Sequence, residues 1–90
     1  MFARVGTITG DHVKEVIDFL RKAIPPKAKE MKAAYVLKDD KAGKVMTITL
    51  WETKEALDAT ADSADKILKE VSNITGVFPV VEVFEVGLEF

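Results

Sequence analysis

Cysteine is absent from this 90-residue chain, and histidine occurs once. Without thiols there is no disulfide, zinc–thiolate site, iron–sulfur cluster or cysteine nucleophile. A single histidine likewise rules out any multi-histidine metal site. Positive charge is not in surplus either. Thirteen Lys and Arg against fifteen Asp and Glu leave a net charge of −2, which offers no general attraction to nucleic acid or to an anionic membrane. No apolar run approaches the length of a bilayer span. The opening Met1-Phe2-Ala3-Arg4 lacks a basic region followed by a long apolar stretch, and Arg4 and Asp11 interrupt the start. No secretory signal is read there, and a cytoplasmic location is expected. Also missing are a Ser–His–Asp set, a phosphate loop, metal-ligand spacing and any internal repeat.

What is present describes one small globular domain over residues 1–90, with 48% hydrophobic and 31% charged residues. A chain of this mass exposes about 5,200 Å² folded and buries about 64% of its unfolded surface. That core is thin, and a partner surface would add to it. Phe2 to Thr9 is rich in aromatic and β-branched types and predicts a strand closed by Gly10. Asp11 then stands where a helix N-cap is expected, ahead of an apolar stripe of Val13, Val16, Ile17, Leu20 and Ile24. Pro25-Pro26 should stop that helix, and Lys27 to Lys32 reads as a charged connection. Ala33 to Lys38 and Lys44 to Trp51 predict two strands of a hairpin about the turn Asp39 to Gly43. Thr53 can cap the next helix, whose stripe runs Leu57, Ala61, Ala64, Leu68 and Val71, with a break expected at Thr60. Asn73 and Gly76 are expected to end it, before a last strand from about Val80 to Phe90.

The order β-α-β-β-α-β predicts a ferredoxin-like α+β sandwich, with both helices on one face of a four-stranded antiparallel sheet. The other face should then be polar, and it is not. The last strand is apolar on both parities, as in Val80 and Phe84 against Val81 and Val83. The third strand backs Met46, Ile48 and Leu50 with Val45, Thr47, Thr49 and Trp51. Two-sided strands are expected when both faces are buried, so the chain is expected to pair with itself, sheet against sheet, as a homodimer.

Two stretches carry a resemblance: Phe2-Ala3-Arg4-Val5, and Ile48-Thr49-Leu50-Trp51-Glu52-Thr53-Lys54-Glu55-Ala56-Leu57. Together they resemble the antibiotic-biosynthesis-monooxygenase-like domains of the dimeric α+β barrel superfamily. The resemblance implies a homodimer and a pocket between sheet and helices in each subunit. It also implies oxidation of a small aromatic, quinol-like molecule with no metal or flavin cofactor. A non-catalytic small-ligand-binding or interaction module on the same scaffold is the alternative. The haem-degrading branch does not fit, since no histidine falls within the second helix. The family's glycine–aromatic pair before the second strand is replaced by Lys32-Ala33-Ala34. Other families of this topology match less well. The third strand lacks the base-stacking aromatics of an RNA-recognition domain, and Thr9-Gly10-Asp11 puts a carboxylate where an acylphosphatase binds an anion.

Each candidate side chain has a functional and an ordinary reading. His12 is the only histidine, the residue type suited to proton shuttling near neutral pH, but a solvated place at the first helical position is the commoner fate. Trp51 and Tyr35 can line a pocket for a flat ligand, or fill the core or dimer interface. Arg4 can clamp an anionic oxygen, or pair with Glu82 or Glu85 on the neighbouring strand. Thr47 and Thr49 can donate to a ligand, or serve only as strand formers. Asp39-Asp40, beside Lys38 and Lys41, reads as a solvated turn rather than a cation site.

Overall fold

A computed structural model describes residues 1–25 and 30–90. Pro26 and the start of the expected charged connection, Lys27 to Lys29, lie outside the described residues. The elements are β1 (Phe2–Thr9), α1 (Val13–Ala23), β2 (Ala33–Asp39), β3 (Lys44–Trp51), α2 (Lys54–Ala59), α3 (Ala61–Thr75) and β4 (Val80–Glu85). The strands form one antiparallel sheet in the order β2-β3-β1-β4. This is the ferredoxin-like α+β sandwich, with its second helix broken in two.

Register decides which residues share a face. Residues directly opposite in an antiparallel ladder point the same way. Ile8 faces Val45, Gly6 faces Thr47, Arg4 faces Thr49 and Phe2 faces Trp51. That set looks toward the helices. Val45 and Ile8 join Val16 and Leu20 of α1 and Val71 of α3 in the buried core, so the expected helical stripes are the packed ones. The opposite face carries Val5 and Ile48, Tyr35 beside Ile48, Leu37 beside Met46, and Phe84 beside Ala3. Among the described residues no element covers it: Tyr35 is 57% and Phe84 50% exposed.

Several ends differ from expectation. The cap of α1 is His12, not Asp11, and its side chain makes no capping hydrogen bond. The His12 carbonyl accepts from Val16 N at 2.9 Å, which places the first helical turn one residue later than an Asp11 cap would. Ile24 stays in the right-handed helical region, with its N–H on Leu20 O. Proline disfavours that conformation in the preceding residue without forbidding it. Asn73 lies inside α3, and Gly76 alone takes the left-handed turn at φ 77°, where a side chain would be strained. β4 ends at Glu85 rather than Phe90. One further bond, Val86 N to Met1 O at 2.8 Å, lies beyond the last paired residues, Phe2 and Glu85.

The turn between β2 and β3 is closed by its own groups. Asp39 accepts from Ala42 N at 3.1 Å, and Lys38 lies 3.1 Å from Asp40. The two carboxylates are therefore occupied as a solvated turn.

Candidate functional site: a cavity beneath the broken helix

The helix break at Thr60 organises the site. In an unbroken helix the Leu57 carbonyl would receive the backbone N–H of Ala61. Instead it receives Thr60 N at 3.2 Å, the Thr60 hydroxyl at 2.8 Å and Arg4 Nη2 at 2.8 Å. The Thr60 hydroxyl in turn accepts from Arg4 Nη1 at 3.3 Å. One carbonyl and one hydroxyl thus hold the guanidinium from the helix side. From the sheet side it lies over the indole of Trp51, 5.7 Å from the ring centroid, a cation–π contact.

Arg4 makes no ion pair among the described residues, so the expected pairing with Glu82 or Glu85 is not what holds it. Glu82 lies opposite Val5 on the other sheet face, and Glu85 lies opposite Phe2. Burial lowers the Arg4 pKa from its ordinary value, while Asp65 and then Asp58 oppose the shift. The guanidinium remains charged at neutral pH.

Beside this brace, between the sheet and α3, is a cavity of about 70 Å³. It has room for several water molecules and opens toward solvent at a rim that includes Val81. Arg4, Thr47, Thr49 and Trp51 all line it. Trp51 is fully buried, and its indole N–H donates to Thr49 Oγ1 at 3.0 Å. That bond fixes the ring as a wall and leaves the Thr49 hydroxyl proton free to be donated elsewhere. The cavity is otherwise mostly apolar, with Leu20, Ile67 and Leu68 among its walls and Ser63 and Thr47 adding hydroxyls.

The structure does not bring the other two candidates there. Tyr35 pairs with Ile48 and so stands on the open sheet face, on the far side of the sheet from Trp51. His12 sits at the start of α1, half-exposed, with Nδ1 3.9 Å from Glu15, and it does not line the cavity.

Three contributors went unnoticed in the sequence: Gly6, Thr60 and Ser63. A glycine inside a strand often marks a close approach, and Gly6 is such a case. A β-carbon there would meet Thr47 Oγ1 at 2.8 Å. Thr60 was legible as a helix break but not as the seat of an arginine. Ser63 gave no signal beyond being small. Among the described residues, no group of three His, Cys, Asp or Glu side chains is placed to hold a metal ion, and no helix is long and apolar enough to cross a membrane.

Fold and site together define a class: a ferredoxin-like α+β sandwich with one open apolar sheet face and a side cavity beneath its last long helix. Solved structures sharing this architecture include several antibiotic biosynthesis monooxygenases. Rv0793 from Mycobacterium tuberculosis superposes with a TM-score of 0.79 at 15% identity, over 98% of this chain and 96% of that one. An antibiotic biosynthesis monooxygenase superposes at 0.74 and 16%, over 96% and 98%. The ActVA-Orf6 monooxygenase of Streptomyces coelicolor, in complex with nanaomycin D, superposes at 0.76 and 11%, over 99% and 89%. No family model matches the sequence, and no curated protein matches it significantly. At these identities the likeness establishes the fold.

Proposed function

We propose that this protein is a homodimeric, cofactor-independent monooxygenase of the antibiotic-biosynthesis type, acting on a small aromatic or quinol-like molecule in the cavity beneath α3. The observation that carries the reading is the convergence of Arg4, Thr47, Thr49 and Trp51 on one mostly apolar cavity. Apolar clefts with a few placed polar groups are the usual form of small-molecule sites. The similarly folded Streptomyces monooxygenase is in complex with nanaomycin D, which supports a small organic molecule as the occupant.

The chemistry asks little of the protein. An electron-rich phenol can give electrons to dioxygen directly. One oxygen atom replaces a ring hydrogen as a carbonyl oxygen, and the other leaves as water. The walls would hold the ring by contact with Trp51, Ile67 and Leu68, while the Thr49 hydroxyl donates to a ring oxygen. Orientation and exclusion of water are the contributions such a site makes.

The dimer rests on the open sheet face. That face carries Tyr35, Leu37 and Phe84, which are 57%, 47% and 50% exposed, and a contiguous apolar patch of this kind marks a surface that another protein covers.

Oxygen uptake with a panel of hydroquinones and naphthols tests the activity. Uptake above the uncatalysed rate, with one oxygen atom from labelled dioxygen found in the product, is the expected result. Binding without uptake would leave the alternative, a ligand-binding module on the same scaffold. Light scattering at micromolar concentration should give twice the protomer mass, and a protomer-sized species alone would remove the dimer.

A further inference from the structure

The cavity is not uniform along its length, and the register of the sheet shows how it changes. On the helix face of β1, Arg4, Gly6 and Ile8 follow one another, opposite Thr49, Thr47 and Val45 of β3. Above them α3 runs the same way. It begins beside Thr60, which accepts from Arg4 at 3.3 Å, and reaches Val71, which packs with Ile8 in the core. Polar groups gather at the first end, where Arg4, Thr49, Thr60 and Ser63 line the cavity. At the other end its walls are Ile8, Leu20 and Val71, all buried. Beyond the Gly6–Thr47 pair no polar side chain lines it among the described residues. From Arg4 to Ile8 the strand advances about 13 Å, more than the span of one aromatic ring.

Gly6 joins the two ends. A β-carbon there would stand 2.8 Å from Thr47 Oγ1 and 4.0 Å from a methyl carbon of Leu68. Glycine thus leaves a passage at the level where hydroxyls give way to aliphatic walls. A ring held by its oxygen at the Arg4 end points the carbon across the ring toward that passage. An apolar substituent on this carbon would leave water for Ile8, Leu20 and Val71, while a polar one would lose its hydrogen bonds without replacement.

We infer that the cavity takes a para-alkylated phenol, its oxygen held at the Arg4 and Thr49 end and its short chain passing Gly6 to stop against Ile8, Leu20 and Val71. This rests on the reading of the cavity as a site for a small aromatic and adds the position, polarity and length of the substituent. A volume of about 70 Å³ limits the chain to a few carbons. The closed end is packed core, so the limit is abrupt.

Titration calorimetry with phenol, para-cresol, para-ethylphenol, para-propylphenol and longer homologues tests the assignment. Affinity should rise about fourfold with each methylene for the first few carbons, then stop rising. Ortho-propylphenol has the same atoms but would leave its chain outside the passage, and should bind about tenfold or more weakly than the para isomer. Para-(methoxymethyl)phenol, close in shape to para-propylphenol, should lose most of the gain, since the walls offer its ether oxygen no donor. Val71→Ile, checked for folding by circular dichroism, adds a methyl group at the closed end and should shorten the best chain by about one carbon. The isomer comparison on the unmutated protein decides the matter even if that variant does not fold. If phenol binds but affinity ignores the position of the chain, or climbs with length without a stop, the chain site is overturned while the aromatic-binding reading stands. If no member of the series binds, both fall together.

Discussion

Replacing Trp51 with alanine is the most exacting perturbation of this fold. Trp51 is fully buried and is the only tryptophan of the chain. A buried aromatic removes about 150–250 Å² from water, and at about 25 cal/mol per Å² that is worth roughly 4–6 kcal/mol as an upper limit. Truncations of this kind are measured at about 3–5 kcal/mol. Here part of the ring faces a cavity rather than packed atoms, which moves the expectation to the lower half of that range. Losing the stacking with Arg4 returns about 0.5–1 kcal/mol to the loss. For a domain of this length each kcal/mol shifts the melting point by about 4–8 °C, so the resulting loss of about 3.5–5 kcal/mol should lower the melting point of Trp51→Ala by roughly 15–40 °C. The control is His12→Ala. His12 makes no capping bond and only a long, exposed approach to Glu15, so its loss should change stability by less than about 0.5 kcal/mol. Circular dichroism melts at matched protein concentration serve for both variants, since Trp51→Ala has no indole fluorescence. A Trp51→Ala protein melting within a few degrees of the parent would refute the packing argument. A His12→Ala variant that lost oxygenase activity while melting normally would move the site to α1.

Gly6→Ala should destabilise by about 1–3 kcal/mol, because its β-carbon meets Thr47 Oγ1 at 2.8 Å. Adding Thr47→Ala should recover much of that loss, which a double-mutant cycle of chemical denaturation would measure. Ala64→Val places two methyl groups toward the cavity that Ala64 lines; it should raise the melting temperature or leave it unchanged while lowering oxygen uptake with the hydroquinone panel. Gly76→Ala meets no atom within 4 Å but keeps φ at 77°, so its loss of about 1 kcal/mol should be purely conformational and leave ligand binding untouched.

Element order and strand limits were legible because period and punctuation agree along most of the chain. β1 and β3 end where the sequence places them, with glycine or turn residues at their borders and alternation within. The α1 stripe and the Thr60 break read correctly for the same reason. What period cannot supply is the relation between strands. Alternation shows that Thr47, Thr49 and Trp51 share a face, but only the hairpin register, with Tyr35 opposite Ile48, puts Tyr35 on the other one. A slip of one residue would have reversed that placement. Arg4 illustrates a second blind spot. Its partner is a backbone carbonyl freed by a helix break some fifty residues away, and carbonyls carry no residue-type signal. Searching for a carboxylate partner pointed to the final strand, when the relevant group was Leu57 O. The β4 limit failed for a third reason. Val86 to Phe90 has the composition of a strand, but a strand is defined by its pairing, and the ladder with β1 ends at Phe2 and Glu85.

The cavity and the brace have one origin. Residues of small volume oppose each other across the sheet–helix layer: Gly6 below, and Thr60, Ser63 and Ala64 above. Filling such a space with methyl groups is the ordinary route to greater stability. An unfilled 70 Å³ forgoes on the order of 2 kcal/mol at about 24 cal/mol per Å³. The helix break adds its own loss, since one turn of α-helix gives up regular bonding at Thr60. Arg4 answers the break by supplying a donor to the stranded Leu57 carbonyl, but that brings a charge to the edge of an apolar space, where desolvation opposes it. A chain shaped for stability alone would carry a larger residue at position 6, an unbroken helix and an apolar side chain at position 4. Each of the three departures is unfavourable or neutral for folding, and all three meet at the same cavity. Local losses of this kind concentrate where a ligand repays them, which is the physical reason for looking beneath α3, rather than at His12, for what this protein does.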